Sequence, residues 1–156
     1  MNKKDTITAF IIFFSVSLNS ANLERLVIPE GFEISIFADK LESPRQLAET
    51  DAGYVIAGSK KGDKIYALQD SDLDGYAEKK ILIADGLQNP TGVSFYQGNL
   101  YFAEIDTIWV VKNIDDWLNT GSEIMPTKTV FMNDLPSETW HGFKYIDFGP
   151  DGNLYI

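Results

Sequence analysis

A repeat of constant register governs what this chain can fold into. The segment FADKLESPRQL, ending at Leu47, aligns with IADGLQNPTGV, ending at Val93. Ala38 then matches Ala84, Asp39 matches Asp85, Leu41 matches Leu87 and Pro44 matches Pro90, all at an offset of 46 residues, and the same offset pairs Ala57 with Ala103. Identities held in one register are not a product of shared composition. A third unit begins at Phe131–Leu135, and its core strand pair falls within Tyr145–Ile156. Between the repeats lie short apolar, β-branched and aromatic runs punctuated by Gly, Asp, Asn and Pro, which is strand-and-turn patterning. The expected strands are Glu33–Ala38, Tyr54–Gly58, Lys64–Gln69, Lys79–Ala84, Gly92–Tyr96, Asn99–Glu104, Thr107–Lys112, Lys128–Met132, Lys144–Phe148 and Leu154–Ile156, with one helical turn at Asp115–Asn119 capped by Asp115 and Asp116.

A period near 46 with about four strands per unit is the mark of a β-propeller blade, whose sheet buries its faces only against its neighbours. The expected fold is therefore all-β, a partial β-propeller of about two and a half four-stranded blades of a six-bladed ring. A closed ring of about four to eight such blades needs more than the 156 residues present. The sequence also stops at Ile156 inside an apolar strand, so residues 22–156 are expected to be the N-terminal part of a longer propeller and inactive alone.

Charge and composition narrow the partners. With 13 Lys and Arg against 23 Asp and Glu, the net charge of −10 repels a phosphate backbone, and nucleic acid is excluded as a partner. The absence of cysteine removes disulfides, thiolate metal sites, a Cys nucleophile and a lipid-anchoring cysteine. Lys3 and Lys4 precede the apolar run Ile7–Leu18 and the small polar stretch Asn19, Ser20, Ala21, the three-part layout of a secretory signal. Residues 1–21 are accordingly expected to be a signal peptide and the protein periplasmic or secreted. The run is too short for a stable membrane span, which takes about 20 residues.

The third unit is enlarged in one place. Leu41 to Gly53 is 12 residues and Leu87 to Gly98 is 11, yet Leu135 to Gly152 is 17. The added residues fall in LPSETWHGFKYI, in the type of loop that reaches the central channel of a propeller. That loop carries His141, the one histidine of the chain. Histidine is the commonest general base near neutral pH.

The run LPSETWHGFKYIDFGPDGNLYI resembles the segment around the catalytic histidine of the glucose/sorbosone dehydrogenase family, sugar dehydrogenases that use pyrroloquinoline quinone (PQQ). His141 stands eight residues before Gly149, which with Pro150, Asp151 and Gly152 forms a GPDG turn, and a Leu-Tyr strand follows, as in that family. PRQLAETDAGYVIAGSKKGDKIYAL and LQNPTGVSFYQGNLYFAEIDTIWVV are similar to the first two blades of its sorbosone branch. The resemblance implies oxidation of a sugar or sugar-derived alcohol or aldehyde, with His141 as general base while hydride passes to PQQ and Ca²⁺ polarises the quinone. It implies cofactor contacts at Gln88, Asn89 and Trp140, with Thr139 beside the pocket, and further ligands in later blades.

Asp70-Ser71-Asp72-Leu73-Asp74-Gly75 repeats the opening of a calcium loop, with carboxylates at alternate positions and Gly at the bend. Asp70, Asp72 and Asp74 are the candidate metal ligands. The twelfth position is Ile81 rather than Glu, and Glu78 at the ninth offers partial compensation; the alternative is an acidic hairpin tip. Two other functions stay open: a metal-dependent propeller lactonase, and a propeller that binds a ligand without catalysis.

Overall fold

The structure is a computed structural model, and it describes residues 23–156. The expected signal segment lies outside the described residues. The chain divides into a unit ending at Ser35 and a unit of Ile36–Ile156. In the first, Leu23–Arg25 forms a 3-10 turn and the Phe32 N–H closes a second turn on the Pro29 carbonyl.

In the second unit the apolar runs pair as consecutive antiparallel neighbours. Strands β1 (Pro44–Glu49), β2 (Val55–Ser59), β3 (Ile65–Gln69) and β4 (Lys79–Ala84) make one four-stranded sheet in that order. Strands β5 (Gly92–Tyr96), β6 (Asn99–Ala103), β7 (Ile108–Val111) and β8 (Thr129–Met132) make a second. A two-stranded pair, β9 (Asp147–Phe148) with β10 (Leu154–Tyr155), opens a third. Two and a half four-stranded meanders in sequence order form the partial propeller that the repeat demands.

Period-two alternation decides what each face buries. Ile56, Ile65, Ala67 and Ile83 of the first sheet meet Val93, Leu100, Phe102 and Val111 of the second in one core, closed at one end by Tyr54 and by Ile114 and Leu118 of the helix α1 (Ile114–Asn119). The opposite face of the second sheet packs Ala103 and Ile108 against Ile146 and Leu154 of the third unit. The opposite face of the first sheet holds Ala57 and Leu68 beneath Phe37, Ala38 and Leu41. Each sheet is thus stabilised by the sheets beside it rather than by a core of its own.

Where the units converge, β1 packs along β5 and β5 against β9. Glycine is required there by space. A Cβ at Gly58 would run into the Thr91 and Pro90 carbonyls, and one at Gly92 would stand 2.5 Å from the Lys144 carbonyl. The Ser59 N–H donates to the Pro90 carbonyl at 2.8 Å, and the Ser94 hydroxyl donates to Asp147 at 3.0 Å.

Sequence and structure differ at three elements. Pro44–Glu49 is a strand although it is not among the expected ones. It occupies a sheet edge, where a proline lacking N–H is tolerated and Arg45, Leu47 and Glu49 stay exposed. Glu33–Ala38 has strand patterning but pairs with no described residue; Phe37 only accepts the Ala77 N–H on its carbonyl. The strand expected over Lys144–Phe148 is shortened to Asp147–Phe148, because the Gln46 side-chain amide takes both the carbonyl and the N–H of Ile146. In addition, α1 is preceded by Asn113 without a side-chain cap, and Asp115 instead accepts the Ala52 N–H from the β1–β2 turn.

The inter-sheet core predicts a steep contrast between two large-to-small changes. Phe102→Ala, at a fully buried position, is expected to cost about 3–5 kcal/mol in urea unfolding. Leu47→Ala, at a position 59% exposed, should stay within about 0.5 kcal/mol.

Candidate functional site

Strand direction fixes which end of the sheets carries the histidine. β5 begins at Gly92, which pairs with Ala103 at the end of β6, so the β6–β7 turn (104–107) and the start of β5 share one face. The same holds for the start of β1 and the β2–β3 turn (60–64). The connections 85–91 and 133–146 cross this face. His141 stands on the second of them.

The connection is shaped by a tight turn. The Gly142 N–H donates to the Thr139 carbonyl at 3.3 Å, and His141 takes φ +58°, in the left-handed region. Gly142 is buried with Ile105 of the β6–β7 turn beside it, and a Cβ at this position would strike the Glu138 carbonyl. With the glycine pressed inward, its neighbours point out. Trp140 is 85% exposed, His141 is exposed, and the two rings meet edge to face at 5.0 Å. The imidazole is therefore open to a ligand rather than packed into the core.

The β6–β7 turn also holds the other connection. Glu104 accepts the Gln88 N–H on one carboxylate oxygen and the Trp109 indole N–H at 2.6 Å on the other. Gln88 keeps its side chain exposed, and Asn89, at φ +49°, accepts the Thr91 N–H on its carbonyl. Neighbouring residues Glu104 and Ile105 thus bring the Gln88–Asn89 connection and the Trp140–His141 connection to one place.

Beyond His141, three cations gather on consecutive residues. The Lys60 ammonium lies 5.0 Å from the centre of the Phe143 ring. Lys144 donates to the carbonyls of Gly142 (2.8 Å) and Pro136 (3.4 Å). The Arg45 Nε donates to the Tyr145 hydroxyl. None of the three is ion-paired; among the described residues the one ion pair is Lys64 with Asp63. Cations without a carboxylate partner can receive an anionic group such as a carboxylate. Sequence reasoning missed Arg45, Gln46, Lys60, Glu104, Lys144 and Tyr145. The available signal was positional, since Pro44 matches Pro90 and Arg45 therefore opens an inner strand.

The acidic loop lies elsewhere. Asp70, Asp72 and Asp74 sit on the β3–β4 connection, at the opposite end of the sheet from the β2–β3 turn and separated from it by about 15 Å of strand. Their carboxylate oxygens and one of Glu78 all lie within 4.8 Å of one another, so Glu78 does close on the cluster. Asp70 accepts the N–H groups of Asp74 (3.2 Å) and Gly75 (2.9 Å), and Glu78 accepts that of Ser71 at 3.0 Å. A cation held here would not touch a ligand beside His141.

The sequence profile of a domain of unknown function, DUF7133, matches residues 51–156, from the β1–β2 turn through β10. The chain belongs to the DUF7133 family. An uncharacterized protein of Borreliella burgdorferi is 27% identical to it over 115 residues, covering 72% of the chain and 28% of that relative. A crystal structure from Thermus thermophilus, described as a candidate oxidoreductase (glucose dehydrogenase), superimposes with a TM-score of 0.56 at 18% identity, covering 77% of the chain and 38% of the other. This DUF7133 chain thus spans well under half the length of either protein, and the structural likeness establishes its fold.

The acidic loop yields a titration test. A hydrogen bond to Glu78 raises the Asp72 carboxyl above the ordinary aspartate range, whereas the Ser71 N–H lowers Glu78 below the ordinary glutamate range. Carboxyl-carbon NMR should show the Asp72 midpoint above that of an aspartate in an unstructured peptide and the Glu78 midpoint below that of a glutamate in one. Glu78→Gln removes the acceptor carboxylate and its charge, so the Asp72 midpoint should fall.

Proposed function

We propose that this DUF7133 chain carries the base-bearing part of an oxidoreductase propeller that oxidises a hydroxyl or aldehyde group of a sugar. The observation that supports this reading is the placement of His141: an exposed imidazole on the connection into the third unit, at the face where the inner strands begin and where the Gln88 connection meets it. The likeness in fold to a protein described as a candidate glucose dehydrogenase points the same way.

In this reading His141 accepts the proton of the substrate hydroxyl as the carbon-bound hydrogen leaves as hydride. PQQ, when bound, supplies the two-electron acceptor. Gly142 and Ile105 set the position of the base, Trp140 offers an aromatic wall beside it, and Gln88 and Asn89 supply amide groups to the ligand. Arg45, Lys60 and Lys144 would hold carboxylates of the quinone or of the substrate. A metal polarising the acceptor would take ligands other than Asp70, Asp72 and Asp74, which stand at the far end of the sheet.

The test is dye-linked oxidation of aldoses and sugar aldehydes by the complete polypeptide containing these residues, supplied with PQQ and Ca²⁺. His141→Asn should lower kcat by about 100-fold or more while KM changes little, since a base acts in the transition state. No sugar-dependent reduction by the wild type, or full activity in His141→Asn, would remove the assignment.

A further inference from the structure

We infer that Arg45, Lys60 and Lys144 form a carboxylate seat beside His141, and that the substrate taken there is an acidic sugar rather than a neutral one. The inference rests on the proposed reading only in placing substrate at the His141 face.

Charge supplies the first part of the argument. Ion pairing is rare on this surface, with Lys64–Asp63 the one pair among the described residues, so what sets Arg45, Lys60 and Lys144 apart is their concentration around one short segment. Lys60 contacts Phe143, Arg45 contacts Tyr145, Lys144 lies between them in sequence, and none of the three has a carboxylate partner. Two of the nearby acids are engaged by other groups. Asp147 accepts the Ser94 hydroxyl and the Phe148 N–H on one oxygen, Glu104 is occupied by Gln88 and Trp109, and Glu138 makes no ion pair.

Geometry supplies the second part. Arg45 is held through Nε by the Tyr145 hydroxyl, with its guanidinium carbon 5.6 Å from the ring centre. Its two terminal amino groups make no hydrogen bond within the described residues, and the side chain is exposed. A guanidinium anchored at Nε presents the paired N–H groups that match a carboxylate in bidentate fashion. Lys144 is fixed by two carbonyls and Lys60 by the Phe143 ring, so each adds positive potential at a set position. Gln46, next to Arg45, is used up in holding Ile146, which locks the strand start carrying the arginine to the segment carrying Tyr145.

The experiment is equilibrium binding by calorimetry, without turnover, on the full chain and on Arg45→Gln, Arg45→Lys and Tyr145→Phe, with circular dichroism confirming the sheet signal of each. D-glucuronate, D-glucose and PQQ are the three ligands. Glucuronate should bind about tenfold tighter than glucose at low salt, lose that preference in Arg45→Gln, and retain part of it in Arg45→Lys. A drop in PQQ affinity with glucuronate unchanged would assign the seat to the quinone and overturn the acidic-sugar substrate. Equal affinity for the two sugars, with PQQ binding indifferent to Arg45, would overturn the seat itself. Because no oxidation is read, failure of the dye assay leaves these outcomes intact.

Discussion

Face-to-face burial between successive sheets is the constraint on which the rest of the molecule depends. Ile56, Ile65 and Ile83 on one sheet and Val93, Leu100 and Phe102 on the next are all fully or nearly fully buried against each other. Four short antiparallel strands have too little apolar surface to stand alone, and only stacking makes a continuous core. Stacking in turn aligns the inner strands β1, β5 and β9, and this alignment gathers the connections on one face. The site follows from the packing: Gly142 can press on Ile105, and Arg45 can reach Tyr145, only because the units are seated side by side.

Much of the fold was legible because the repeat and the alternation carry the same information twice. β4 and β5 fall on the runs expected from sequence, and β6, β7 and β8 differ only at their ends. What escaped was determined by tertiary contact. β1 hides behind Pro44, Arg45 and Gln46, residues that suit an edge strand facing an open centre. Glu33–Ala38 shows that strand patterning is not strand formation. Its residues match β4 at the repeat offset, yet among the described residues the one backbone bond it receives is the Ala77 N–H on the Phe37 carbonyl, too little for a strand.

The site was legible in part for a similar reason. An enlarged loop and a solitary imidazole are visible in a linear chain, and His141 could be singled out from LPSETWHGFKYI. The cations around it could not. Arg45 and Tyr145 are 100 residues apart and meet through the convergence of inner strands, a relation that no spacing rule contains. The acidic loop illustrates the converse case. Its spacing left open a cation site or an acidic hairpin tip, and the structure brings the four carboxylates together at the end of the sheet away from the histidine. Proximity within a motif and proximity to His141 are separate properties.

The central claim is that the exposed His141 faces bound substrate where the inner strands converge, and a crystal structure of the complete polypeptide soaked with PQQ and a slowly reacting sugar tests it most directly. The predicted result is a sugar hydroxyl within about 2.6–3.2 Å of an imidazole nitrogen of His141, with Trp140 alongside. Density for the sugar at another face, or His141 left in bulk solvent with the ligand bound elsewhere, would contradict it.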